Sequence, residues 1–280
     1  MHLTTPSLKH LGAVRIAASL QQLLVRLRAL VSPPRVAPCF RDPVLDFGIT
    51  ATSPLALEHA PEVRHGCGAY VSEHGNYLSL YLGGSTVDGV HAVMDCTAPA
   101  ELVFSYTQIM AGFSRFVPHP HHIGMLGLGG GSLAKHCYEA FPESRITIAE
   151  ISPEVIGLRG RFLIPDDDER LCVLLADGAK LVANSRDRFD VLLVDAFNEG
   201  GHMDHLGTVR FYRNCHRALT PSGILVLNFS GDAWQGSLSA LHRLFRDQVV
   251  LYRCPDGDNV IAFAGKATLA SHHETVPLPR

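Results

Sequence analysis

Residues 123–135 read IGMLGLGGGSLAK. An apolar run (Ile123, Met125, Leu126, Leu128) stops among the glycines at 127, 129, 130 and 131 and passes into a helical pattern. Strand, tight turn and helix in that order open a nucleotide-binding α/β unit. Gly127, Gly129 and Gly131 form G-x-G-x-G, and Ser132 stands where a dinucleotide fingerprint keeps its last glycine. Glycine lets a backbone take positive φ or approach a ligand closely. The helix that follows offers free N–H groups and the positive end of its dipole to whatever lies over the turn. Such a turn also serves as a plain strand–helix connector, so its meaning rests on the rest of the chain.

Downstream, strand and helix patterns alternate. Helices are expected from Ser132 to Phe141, Pro153 to Arg161, Gly178 to Asn184, Leu206 to Leu219 and Ser237 to Phe245. Strands are expected over Arg145–Glu150, Leu171–Leu175, Asp190–Asp195 and Gly223–Phe229, and two more, Val249–Cys254 and Val260–Ala264, flank a Pro-Asp-Gly-Asp turn. Alternation predicts a doubly wound, mostly parallel sheet of seven strands, and the closing hairpin is antiparallel by construction.

Ligands of such sheets bind beyond the carboxyl ends of the strands, and an acid stands at three successive ends. Glu150 closes the second strand, 19 residues beyond Gly131, where a carboxylate can accept both hydroxyls of a ribose. Asp177, in LLADG before Gly178, can accept from an adenine amino group. Asp195 ends the strand within FDVLLVDAF, an expensive place for an acid unless it is functional or well paired. Helix capping is the competing reading for Glu150 and Asp177, and a loop acid for Asp195. All of them in register predict a site for an adenosine-bearing ligand.

Upstream, residues 1–42 read as a basic, amphipathic helix and linker. No acid occurs before position 42, whereas Lys9, Arg15, Arg26, Arg28, Arg35 and Arg41 do, and Leu8 to Val31 has helical spacing ended by Ser32-Pro33-Pro34. Such a segment fits an appended docking helix, a transit peptide or a membrane-surface element. Residues 43–118 read as a small antiparallel β module, with strands Tyr77–Leu82 and Val90–Met94, then a helix from Pro99 to Phe116. The core is expected over 119–265 and a loose tail over 266–280. His119, His121 and His122 invite a metal reading, but the interleaved prolines and the lack of a neighbouring acid or cysteine favour a solvated loop.

The net charge of −3 makes no case for nucleic acid. Seven cysteines, scattered singly, read as reduced thiols of a cytoplasmic protein and not as a zinc site or disulfide framework. No apolar run approaches the ~20 residues a membrane span needs.

The G-x-G-x-G turn, the acid after the third strand and the terminal antiparallel pair resemble the class I S-adenosylmethionine-dependent transferases. VFSYTQIMAGF (103–113), the glycine turn, Glu150, Ala176-Asp177-Gly178, LLVDAF and DHLGTVRFYRNCHRALTPSGILVLNF (204–229) together look like the spermidine synthase (polyamine aminopropyltransferase) family. The resemblance spans about residues 70–265. It implies transfer of an aminopropyl group from decarboxylated S-adenosylmethionine to a polyamine-like amine, without a metal, and a possible homodimer. It implies that Gly127, Gly129, Gly130, Gly131, Glu150, Asp177 and Gly178 hold the donor and that Asp195 is the catalytic acid. Tyr106, His91 and Asn198 would line the amine groove. The family's turn reads G-G-G-D-G-G, with its acid where Gly130 stands here. Asp-Ser-Ser-Asp is Asp195-Ala196-Phe197-Asn198, the small-module glutamine is His91, and Gln-Glu after the tyrosine is Thr107-Gln108. Methyl transfer from intact S-adenosylmethionine is the alternative, because Gly130 places no charge against the donor's carboxylate. A nucleoside-binding protein without turnover is the third reading.

Overall fold

The computed structural model describes residues 68–82, 90–198, 201–202, 204–230, 233–255 and 257–269. The expected N-terminal helix, the first part of the small module and the end of the tail lie outside them.

The described residues begin with a three-stranded antiparallel sheet of β1 (Ala69–His74), β2 (Tyr77–Leu82) and β3 (Ala92–Asp95), in that spatial order. Its first strand is an addition to the sequence reading. The first two are joined through Gly75-Asn76, with Gly75 at φ +59 as a two-residue hairpin requires. Leu78, Leu80, Ala92 and Met94 point into the main core, so the small sheet is seated on the large one.

The helix expected from Pro99 is shorter. Residues before Ser105 are held in turns, with Gln108 Nε2 donating to Leu102 O at 2.7 Å, and α1 spans Ser105–Ala111 before tightening into a 3₁₀ turn, Gly112–Arg115. Glycine at the junction favours that break.

The core sheet has seven strands in the order β11-β12-β10-β7-β4-β5-β6. They are β4 (His122–Leu126), β5 (Arg145–Glu150), β6 (Leu171–Leu175), β7 (Phe189–Val194), β10 (Leu219–Phe229), β11 (Val249–Arg253) and β12 (Val260–Gly265). From β10 to β6 neighbours run parallel; β12 is antiparallel to β10, and β11 to β12. The strands read as continuous apolar runs because both faces are covered. Val191, Leu193, Ile224 and Val226 face the side of α1 and α2 (Ser132–Ala140), while Leu192, Val194, Leu225 and Leu227 face the other side. There they meet Phe211, Tyr212 and Cys215 of α5 (Val209–Ala218) and Leu241 of α6 (Ala233–Leu244). A two-stranded ribbon, β8 (Phe197–Asn198) with β9 (Gly201–His202), was not expected and follows β7 directly.

Other boundaries differ too: β10 begins at Leu219 and not Gly223, and α5 at Val209 and not Leu206. The helix after β5, α3, spans Pro153–Gly157 and not to Arg161, since Gly157 and Gly160 are poor helix formers. Conversely α6 begins before Ser237, with Gly236 carried inside it. The tail expected to be loose is anchored at its start: Lys266 Nζ donates to Leu219 O at 2.6 Å and Leu269 N to Gln248 Oε1 at 2.9 Å. Among the described residues no helix is long and apolar enough to cross a membrane.

Candidate active site

The carboxyl ends of β7, β4, β5 and β6 lie side by side, and the glycine turn is clamped between them. Asp195 N donates to Leu126 O on one side and Gly127 N to Ala149 O on the other, both at 2.9 Å. Gly127 has φ +96, and a Cβ there would be driven into the carbonyl oxygen of Asp195. Gly131 has φ +67 and is the N-cap of α2; its Cβ would strike Ile164. At these two positions a positive φ and a steric clash together demand glycine.

Gly130 requires glycine for another reason. A Cβ would stand 2.8 Å from Ala92 Cβ and 3.1 Å from the Phe162 ring. The side-chain direction at this position is filled by the small sheet and the segment after α3.

Glu150 is buried. Its Oε2 accepts Leu128 N from the glycine turn and its Oε1 accepts Ser152 N, each at 2.8 Å. Helix capping here belongs to Ser152, whose hydroxyl accepts Val155 N at 3.2 Å. The glutamate thus ties the ends of β4 and β5 together, and a carboxylate oxygen that accepts one bond can still accept another. Asp177 does cap: its Oδ1 accepts Ala179 N at 2.8 Å at the start of α4 (Gly178–Ala183). Gly178 packs on Leu126, where a Cβ would lie 3.1 Å from that side chain. Beside these two acids, Ile151 and Leu175 hold large apolar side chains in solvent, 54% and 63% exposed. They were missed in the sequence, and the signal was available: an apolar residue directly after Glu150, and another at the end of β6 two residues before Asp177.

On the other side of the turn, Asp195 is the centre of a side-chain network. Tyr106 of α1 hydrogen-bonds it through its hydroxyl, and Asn228 at the end of β10 donates Nδ2 to Oδ1 at 2.8 Å. Asn259, just before β12, donates in turn to Asn228 Oδ1 at 2.8 Å. Close packing raises the Asp195 carboxyl above its ordinary range; the bonds from Asn228 and Tyr106 oppose that shift. The same desolvation, followed by the Asp195 charge, pushes the Tyr106 phenol well up, so it stays a donor. Tyr106 also stacks on Phe104, with ring centroids 5.7 Å apart. Neither asparagine was singled out in the sequence, because pairing across β7, β10 and β12 is what brings them to Asp195.

The remaining predicted residues are placed differently. His91 lies just before β3, with its N–H on Leu80 O at 2.8 Å and its ring pK depressed by burial. It neighbours Ala92 over Gly130, and among the described residues no bond joins it to Tyr106 or Asp195. Asn198 is in β8 as backbone, and its side chain lies outside the described residues. The three histidines do not converge: His122 opens β4 with Nε2 2.9 Å from Thr147 Oγ1 and its ring on Phe189. Among the described residues no three His, Cys, Asp or Glu side chains group as metal ligands.

This arrangement supplies an apolar and hydroxyl-accepting half at the ends of β5 and β6 and a half-buried carboxylate just after β7, separated by a glycine turn. Residues 103–235 match the spermine/spermidine synthase domain. The polyamine aminopropyltransferase of Chromobacterium violaceum is 36% identical over 212 residues, which cover 75% of this chain and 78% of that protein. Among solved structures, a probable spermidine synthase from Corynebacterium glutamicum superposes with a TM-score of 0.64 at 19% identity, over 75% of this chain and 84% of that one. A spermidine synthase in complex with the transition state analogue AdoDATO superposes with a TM-score of 0.55 at 20% identity, over 71% and 73%. At these identities the two structures speak for the fold, and the curated relative for descent. The chain belongs to the spermine/spermidine synthase family.

Proposed function

We propose that this protein is an aminopropyltransferase that takes its aminopropyl group from decarboxylated S-adenosylmethionine and gives it to a polyamine or related amine. The observation that carries the reading is the half-buried Asp195, held by Tyr106 and Asn228, in a member of a family whose curated relative is a polyamine aminopropyltransferase.

On this reading the ribose hydroxyls bond the remaining lone pairs of Glu150, the adenine lies between Ile151 and Leu175 near Asp177, and Gly127–Gly131 let the sulfonium approach the backbone. The amine nitrogen attacks the carbon next to sulfur. A C–N bond forms, the C–S bond breaks, and its electron pair neutralises the sulfonium to give methylthioadenosine. The amine's proton leaves to Asp195. A free alkylamine has a pKa near ~10, so it must shed a proton before its lone pair can attack, and a carboxylate made more basic by burial is suited to receive it. Tyr106 holds that carboxylate toward the groove. The rest of the catalysis is orientation and exclusion of water.

The test is direct. Purified protein given decarboxylated S-adenosylmethionine and putrescine is expected to release methylthioadenosine. Release of S-adenosylhomocysteine from intact S-adenosylmethionine, with none from the decarboxylated donor, would overturn the reading in favour of methyl transfer.

A further inference from the structure

The carboxylate of Asp195 is held by a chain of amides that begins just before β12, an element with no other part in the site. Asn259 Nδ2 donates to Asn228 Oδ1, and Asn228 Nδ2 donates to Asp195 Oδ1, both at 2.8 Å. Asn228 is 2% exposed, so neither end of its amide can turn to water instead. An amide has one accepting and one donating end, and a carboxylate only accepts. A donor on the far side of Asn228 therefore decides which end of its amide meets Asp195.

We propose that Asn259 is a positioning residue for the catalytic carboxylate: by donating to Asn228 it locks that amide with its amino group toward Asp195. This deepens the reading of Asp195 as the proton acceptor and rests on it. The geometry explains why the antiparallel pair matters to the chemistry. Asn228 lies opposite Ile261 in the β10–β12 ladder, and its neighbour Leu227 lies opposite Val194 in β7. The closing hairpin thus reaches the base through one buried side chain. The lock also sets basicity. With the amino group inward, the anion gains a bond that offsets part of its burial; with the carbonyl inward, two acceptors would face each other and protonation would be favoured. Among the described residues, the titratable group that faces Asp195 is Tyr106, with Cys254 beyond it.

The experiment uses Asn259→Asp and Asn259→Ala in the full chain. Aspartate has the shape of asparagine but cannot donate as an anion, so it is expected to capture Asn228's amino group and reverse the amide. Asp195 is titrated by carbon-13 NMR of protein labelled at aspartate Cγ, its signal assigned by absence in Asp195→Asn. Expected are an upward shift of the Asp195 pKa by about one unit in Asn259→Asp and a smaller one in Asn259→Ala. The acid limb of kcat/KM should move to higher pH in parallel, with KM for the donor within two- to three-fold of the parent. An Asp195 titration unchanged in both folded variants would overturn the proposal. The NMR titration does not require turnover, so a parent protein that makes no methylthioadenosine would sink the functional reading while the lock is still decided.

Discussion

Gly127 meets the backbone of Asp195 so closely that no side chain fits between them. The first residue of the glycine turn and the backbone of the residue that follows the neighbouring strand β7 are one packed unit, joined also by Asp195 N to Leu126 O at 2.9 Å. Gly127→Ala would add both a Cβ against a carbonyl oxygen and an L-residue at φ +96. Backbone strain and overpacking at one site should together cost about 3 kcal/mol or more. Equilibrium denaturation in urea checks this, and a loss under about 1 kcal/mol would show that the turn can shift without dragging Asp195.

Asp195→Asn keeps the shape of the side chain and removes its capacity to take a proton. Loss of a general base lowers turnover by roughly 10²- to 10⁴-fold. The expected result is such a drop in kcat with donor affinity, read by calorimetry, within a few-fold of the parent. Collapse of donor binding would instead make Asp195 a donor ligand.

The reach of sequence reasoning follows from how local each feature is. The parallel sheet was legible because strands buried on both faces declare themselves as apolar runs such as LLV before Asp195, and glycines punctuate them. Asp177 as a cap was weighed from Asp-Gly alone. Glu150 shows the limit: its burial and its two bonds to Leu128 N and Ser152 N depend on the turn folding back over β5. Asn228 and Asn259 lie 31 residues apart and became neighbours through the register of β10 and β12. Nothing periodic marks either one. The packing around Gly130 was hidden likewise, since Ala92 and Phe162 come from different parts of the chain.

That packing bears on restoring the family's acid. Gly130→Asp would place its Cβ 2.8 Å from Ala92 Cβ and 3.1 Å from Phe162, so it should lower stability by about 1–3 kcal/mol. Ala92→Gly in the same chain removes the nearer obstacle and should recover part of the loss. Thermal melts of the two single variants and the double variant measure the coupling. Strict additivity would mean that the small sheet simply moves away.

Lys135 offers a test of the core by pH. It is 3% exposed in α2, with Nζ donating to Phe162 O at 2.7 Å and lying 3.0 Å from Met94 Sδ. Burial lowers its pKa from 10.5 to about 8. The folded protein thus releases this proton before the unfolded chain does. Between those two values the unfolded state binds more protons, and the lysine's contribution to stability rises with pH; below about 8 the full penalty of a buried charge is present. The gap of 2.5 units, 10.5 minus 8, corresponds to a penalty on the order of 3 kcal/mol. Lys135→Met keeps the length of the side chain and has no charge to bury. The buried tyrosines and cysteines of both proteins act in the opposite direction at high pH, so the informative quantity is the difference between them. Lys135→Met is expected to be the more stable protein at pH 7, with its advantage shrinking as pH rises from about 8 to 10.5. Urea midpoints measured at steps across that range check it, and a difference that stays constant with pH would mean that Lys135 titrates as it does in water.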